Sequence, residues 1–461
     1  MKITLLSSST ENPIDISVGS ARSCYSSKIK MPEDIKSWPG KFGLAMDLKK
    51  SGHHTTLQHA NFTFALEGVS RLAIWRFFHA HRFYNSDQVS QRYAKIDKEN
   101  YFLESGLDND LTLRFLHLSL IKAYEEISVL LEEDFSRSKN KVHVKIANKK
   151  AMENARYILP QSTLAHMYHT VNLSTLMKYY KGRTSNVNAN YEIDDIVGRM
   201  VSEVVYHYPE LGYLFESIDK DLDKGFKVSN KLNPAHFIKP ERNVEILNNP
   251  FLDFNTDPSF YADTDGMYFL FNTIESTETV KLKMNISLSA DSQNQRHRTS
   301  SGIREDLNDS ITKNTDTFEQ FTDNQYIPDA IRNNKEAYDI FIKALLLIYN
   351  ELKITSSSYA PYILPNSHKV VIVESTNYSD LIHKTKTRLC LNAQDEIRFL
   401  TEEMVSELTL LGANVDMFAP PCVFNFISNI KPTCTEGSRF CGIKEWKNSK
   451  YANMLLKYGE K

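Results

Sequence analysis

The stretch His79-Ala80-His81-Arg82-Phe83-Tyr84-Asn85-Ser86-Asp87-Gln88-Val89-Ser90-Gln91-Arg92-Tyr93 decides how the rest of the chain is read. It crowds histidines, arginines, two serines, Asp87 and Gln88 into fifteen residues. Guanidinium forks pair bidentately with phosphate or carboxylate oxygens, so Arg82 and Arg92, with Ser90 beside them, suit an oxyanion. A solvated turn after a helix has the same composition. What separates the two readings is a partial echo far along the chain, Gln293-Asn294-Gln295-Arg296-His297-Arg298-Thr299-Ser300-Ser301.

Working outward, other residues repeat in order. Tyr157-Ile158-Leu159-Pro160 returns 205 residues later as Tyr362-Ile363-Leu364-Pro365, and at the same spacing Asn172 returns as Asn377 and Arg183 as Arg388. Tyr191-Glu192-Ile193 is answered by Asp395-Glu396-Ile397, one residue out of step. Each begins a helix with an apolar stripe: Ile193, Ile196, Val197, Met200, Val201 and Val204, then Ile397, Leu400, Met404, Leu408 and Leu411, with Gly412 as the second stop. Phe269-Leu270-Phe271 echoes the strand pattern Phe62-Thr63-Phe64. An ordered set at nearly constant spacing indicates a duplicated domain of about 200 residues. The expected division is a first copy over 1–228, a connector over 229–262 rich in Lys, Asn and Pro, and a second copy over 263–461. The polar stretch 303–327 is expected as a surface excursion.

Length and composition bound the function. At 461 residues the chain holds two or three domains. A net charge of −2 gives no field to recruit nucleic acid or an anionic membrane, and no partner of either kind is expected. No window holds ~18 consecutive apolar residues, and the N-terminus lacks the apolar run of a signal peptide. Five cysteines, Cys24, Cys390, Cys422, Cys434 and Cys441, are too few and too uneven for a disulfide framework, so a reducing, cytoplasmic setting is expected. Cys422, Cys434 and Cys441 could be zinc ligands, with a fourth from Cys390, a histidine or a carboxylate. No CxxC pair is present, so buried inert thiols are preferred and no metal is expected.

The opening stretch resembles the signature RHRxxSxNExSxRY of the flavin-dependent thymidylate synthases, the ThyX family. His81, Arg82, Ser90, Arg92 and Tyr93 match it, and Gln88 stands where it has Glu. Ala80 replaces the leading Arg, Asn85 the first Ser and Asp87 the Asn. His59, the strand Phe62–Gly68, Ser70-Arg71, Arg156 before the Tyr-Ile-Leu-Pro turn, Asn172, Arg183 and the Glu192 helix also fit. The second copy keeps Gln293, Arg296-His297-Arg298 and Ser301, and loses the second half of the signature. The resemblance implies an α+β fold of two ThyX-like domains, each a mainly antiparallel sheet with packed helices.

It also implies an activity: methylation of C5 of dUMP, with methylene-tetrahydrofolate as carbon donor, FAD as cofactor and NADPH as reductant. Such a site needs cations and hydroxyls for the nucleotide phosphate, a cation at the uracil imide, and donors around the flavin ring. No protein nucleophile is needed, and no cysteine here has an activated setting. The two copies have complementary losses, so one composite site per chain is expected. Arg388 is its expected catalytic cation. Gln88, Ser90, Arg92, Arg156, Gln293 and Arg296 are expected on the substrate, and Arg296, His297, Arg298, Ser301, Asn377 and His59 on the flavin. Ser174 and Ser379 replace an Arg of the family that faces flavin, and Lys178 and His383 replace an Asn. The resemblance further implies a homodimer, whose four domains stand for the family's four subunits. Two alternatives stay open: modification of another pyrimidine nucleotide, by methyl or hydroxymethyl, or a degenerate paralogue that binds flavin or nucleotide without catalysis.

Overall fold

The computed structural model describes residues 1–80, 83–94, 96, 100–104, 107, 110–138, 144–183, 191–223, 234–248, 279–411, 418–427 and 429–447. Two compact units divide the chain. The first comprises Met1–Ser90, Ile96–Arg114 and Gln161–Lys231; the second comprises Gln91–Lys95, Phe115–Pro160 and Leu232–Lys461. The units therefore do not follow the two sequence copies, because two segments of the first copy fold into the second unit.

Each unit is built on a four-stranded sheet. In the first, β1 (Lys2–Ser8), β2 (Asn61–Ser70), β3 (Tyr84–Gln88) and β4 (Leu164–Asn172) lie in the order β1-β2-β4-β3. In the second, β5 (Val244–Ile246), β6 (Thr279–Ser287), β7 (Ser301–Arg304) and β8 (Lys369–Asn377) lie in the matching order β5-β6-β8-β7. The described pairings are antiparallel in both. With the helices packed on these sheets, the fold is α+β in two like domains, as the sequence led us to expect.

The strands form because one face is apolar. Phe62, Phe64 and Leu66 of β2 are buried, as are Val280, Leu282, Met284 and Ile286 of β6. β2 carries a bulge between Glu67 and Val69, and Gly68 there has φ +74°, where a side chain would be strained. Helices α1 (Pro13–Ser23), α2 (Leu111–Ser136), α3 (Ala147–Ala155), α4 (Leu173–Gly182), α5 (Tyr191–His207), α6 (Leu288–Asn294), α7 (Lys335–Leu352), α8 (Tyr378–Arg388) and α9 (Asp395–Leu410) position the residues discussed below. The expected stripes of α5 and α9 are buried, with Leu411 just beyond α9 as its C-cap.

Three expectations are corrected. The strand equivalent to β2 is β6: β2 pairs Asn61 with Asn172, and β6 pairs Thr279 with Asn377. The echo at Phe269-Leu270-Phe271 lies outside the described residues, as does the helix stop at Gly412. The connector supplies a strand, since Val244–Ile246 pairs with Leu282–Met284. Residues 303–327 are no surface excursion. They contain the helices Leu307–Asn314 and Phe318–Asp323, and Ile311, Phe321 and Ile327 are buried. In the second unit the two Tyr-Ile-Leu-Pro turns meet. Pro160 bridges Pro365, the Asn366 amide donates to the Leu159 carbonyl at 2.9 Å, and the Ser367 amide to the Tyr157 carbonyl at 2.9 Å.

Candidate active site

A serine at the end of a central strand caps a helix in each unit. The Ser70 amide and hydroxyl donate to Glu192 at 2.7 and 2.6 Å, and the hydroxyl accepts from the Ala73 amide at 3.0 Å. Ser287 repeats this with Glu396, at 2.9 and 2.5 Å, and accepts from the Ala290 amide at 3.1 Å. Each serine is thus a helix N-cap held by a buried carboxylate. Burial raises the Glu396 pKa, and bonds from Ser287 and Tyr157 offset part of that rise. Ala80 follows Ser70 by ten residues, but Arg296 follows Ser287 by nine. The first unit has a single π-turn at Ile74–Phe78, the local form that accommodates one extra residue in a helix.

In the second unit α8 begins under its cap, with Asn377 Oδ1 accepting from the Asp380 amide at 2.7 Å, and ends at Arg388. Arg388 Nε donates to His297 Nε2 at 3.1 Å, and its Nη2 to the Gln293 carbonyl at 2.6 Å. Burial first, then the cations Arg296 and Arg92, push the Arg388 pKa down to about 10. His297 is held well below the usual histidine range by burial and by Arg388, Lys384 and His383. It is therefore a neutral acceptor for the guanidinium at physiological pH.

First-copy residues reach the same cluster through the segments that fold into this unit. Arg92 pairs through Nε with the buried Glu153 and donates through Nη2 to the Asn392 carbonyl at 3.0 Å. Lys150 is a second cation on Glu153, at 3.3 Å. Arg156 is buried and donates through Nη2 to Gln394 Oε1; its Nε has no partner among the described residues. Gln293 Nε2 donates to the same oxygen. The Gln394 amide donates to Tyr157 Oη, which donates to Glu396 at 2.6 Å. Gln394 is thus the joint that ties Arg156 and Tyr157 of the first copy to Gln293 and the Glu396 cap of the second.

The remaining candidates are spread more widely. Arg296 and Arg298 are exposed, and Ser301 opens β7 opposite Ser375. In the first unit Gln88 ends β3 and accepts from Arg71 at 3.0 Å, with Ser90 two residues on. His59 is exposed, and its carbonyl accepts from Ser9 and Asn61, both at 3.3 Å. His81 and Arg82 lie outside the described residues, as does the side chain of Ser379. Arg183, the counterpart of Arg388, pairs with Asp194 at 2.9 Å and Asp219 at 3.2 Å, and lies 3.4 Å over the Tyr180 ring. Gln394, Tyr157, Glu396 and Glu153 were not singled out from sequence as site residues. The repeated Tyr-Ile-Leu-Pro and Asp-Glu-Ile runs mark Tyr157 and Glu396; Gln394 and Glu153 have no such signal.

The interiors beside the two sheets differ in chemistry. In the first unit Phe77, Phe78, Tyr84, His169 and Tyr179 form an aromatic cluster, mostly edge-to-face, with His169 Nε2 and Tyr179 Oη 3.1 Å apart. In the second, Glu374 and Lys384 form a buried ion pair at 2.8 Å, Asn294 donates to Glu374 at 2.6 Å, and Arg304 grips Asp291 at 2.6 and 3.0 Å. Glu374 and Lys384 follow His169 and Tyr179 by the repeat spacing of 205.

The family model of the thymidylate synthase complementing proteins matches residues 5–210 and 272–410, both halves of the duplication. The chain belongs to that family. Among the relatives of this chain, the flavin-dependent thymidylate synthase of Clostridium tetani is 33% identical over 208 residues, covering 44% of this chain and 82% of the relative. That of Pyrococcus furiosus is 32% identical over 157 residues, covering 33% of this chain and 58% of the relative. A solved thymidylate synthase X from Helicobacter pylori, with FAD and dUMP, is 22% identical, with a TM-score of 0.33. It covers 47% of this chain and 99% of its own.

Proposed function

We propose that this family member methylates C5 of dUMP in a flavin-dependent reaction, at one composite site carried by the second unit. The observation that carries the reading is Arg388. Its described partners are a neutral imidazole and a carbonyl, while Arg296 and Arg92 act on it as like charges. A desolvated cation held among other cations, with no carboxylate bonded to it, is an arrangement built for an anion.

The uracil imide is a weak acid, and C5 is poorly nucleophilic until the imide ionises. A guanidinium beside the imide favours its anion, and C5 then attacks the one-carbon unit of methylene-tetrahydrofolate with no protein nucleophile. Arg92 and Arg156 suit the nucleotide phosphate, and Gln293 orients the base beside Arg388. The residues present also fit a flavin: Arg296 and Arg298 are exposed cations, and Ser300 Oγ is buried with no partner among the described residues. Those residues, with His297, Ser301 and Asn377, would hold FAD, which when bound supplies the hydride that completes the methyl group. NADPH is the proposed source of reducing equivalents, and a homodimer of the chain the proposed assembly.

The test is dTMP formation from dUMP, methylene-tetrahydrofolate and reduced FAD. Turnover by the wild-type chain, lost in Arg388→Ala, is the expected result. A wild-type chain that binds dUMP and FAD yet forms no dTMP would sink the assignment.

A further inference from the structure

The C-terminal segment brings together four cysteines that the reaction does not use. Cys390 lies just past α8, two residues after Arg388. Asn392 Nδ2 donates to the Arg439 carbonyl at 2.7 Å, and a small cavity is lined by Leu391, Asn392, Cys441 and Ile443. These contacts bring the chain segments that flank Cys390 and Cys441 together. Cys422 lies in the helix Pro421–Ile427 and packs, like Trp446, on Ala419, Val423 and Phe424. The rings of Phe440 and Trp446 are 6.4 Å apart, which brings Cys441 to the same cluster. Asn425, on the Cys422 helix, reaches the Thr433 carbonyl beside Cys434 at 3.4 Å. All four thiols are free and partly enclosed.

We propose that Cys390, Cys422, Cys434 and Cys441 form a tetrathiolate site for one Zn2+ ion, which ties the C-terminal segment to the end of the helix that carries Arg388. Four soft thiolates and no other ligand favour a d10 ion in a closed tetrahedral, structural site. The sequence spacing argued against this because it lacks a CxxC pair; here the four ligands are assembled by tertiary contacts instead. Among the described residues no group of three or more His, Cys, Asp or Glu side chains is already arranged to hold a metal ion. The ion therefore completes the ligand shell by drawing the cysteine side chains in, as expected where metal binding and folding are coupled.

Gly442, at φ +83°, makes the turn that puts Ile443 beside the Cys441 sulfur. Binding replaces four S–H protons by four S–Zn bonds and releases the protons to solvent.

The experiment is metal analysis of the full chain purified under reducing conditions. About one zinc per chain is expected, a closed structural site holding a single ion. Cys434→Ser and Cys441→Ser should each lose most of it, and Cys24→Ser, an exposed cysteine in the first unit, should retain it. A second arm does not depend on variants that fold. Wild-type protein stripped with a chelator is titrated with Co2+, and the thiolate-to-cobalt charge transfer and intense visible bands of a tetrahedral tetrathiolate should appear. Three results would overturn the proposal: no zinc with no cobalt bands, zinc fully retained in the Cys434→Ser/Cys441→Ser double variant, or iron in place of zinc.

Discussion

Arg183 and Arg388 stand 205 residues apart at the same point of the repeat, in opposite surroundings. Arg183 is neutralised by Asp194 and Asp219, whereas Arg388 faces a neutral imidazole, a carbonyl and other cations. Arg388→Ala should lower turnover by roughly a hundredfold, the scale of losing one preorganised charge contact in the transition state, with a smaller change in dUMP affinity. Arg388→Lys should recover only part, because an ammonium lacks the planar fork. Arg183→Ala should leave turnover nearly intact. Equal losses in the two alanine variants would mean two working sites. Arg92→Ala and Arg156→Ala should each weaken dUMP binding by about 1.5–3 kcal/mol, the scale of a charged hydrogen bond, in a calorimetric titration. Unchanged affinity in both would remove them from the nucleotide site. The arginines were legible in the sequence because the motif names them. Gln394, which accepts from both Arg156 and Gln293, was not, because a lone glutamine between Ala393 and Asp395 at a helix start carries no pattern of its own.

Elements were read best where periodicity was strong. The stripes of α5 and α9 show plainly, and both helices form. β6 was missed although Val280, Leu282, Met284 and Ile286 alternate, because the aromatic run at 269–271 is the closer likeness to Phe62-Thr63-Phe64. The connector was read as a loop because β5 has only three residues, too few for alternation to be seen. At the entry to β8, His368 is buried, 2.9 Å from Ser310 Oγ and 3.3 Å from Gln325 Nε2. Burial pulls its pKa from 6.5 to about 3. The unfolded chain binds the proton more readily than the folded one between those values, so this contribution is complete above pH 6.5 and is lost as pH falls towards 3. Denaturant midpoints of the wild type should fall over that window, and the fall should be shallower in His368→Gln. Parallel curves for the two proteins would count against it. Ser287→Ala removes a cap and leaves Glu396 short of a donor, and should lower stability by about 1–2 kcal/mol in the same assay. No loss would deny the capping role.

At the scale of the whole chain, the duplication was legible from five ordered matches. The exchange of segments was not, because no local pattern tells Gln91–Lys95 and Phe115–Pro160 which sheet to join. That exchange puts Arg92 and Arg156 of the first copy in the same unit as Gln293, Arg296 and Arg388 of the second. It predicts about one flavin per chain, one composite site needing one cofactor, released by Arg296→Ala as seen in the flavin absorbance of gel-filtered protein. Two flavins per chain would contradict it. The central claim is that residues from both copies act on one nucleotide. A double-mutant cycle of Arg92→Ala and Arg388→Ala on dUMP affinity tests it most directly. The account predicts a coupling of at least about 0.5 kcal/mol, since both guanidiniums share one ligand and one field. Additive losses, within error, would place the two arginines at separate sites.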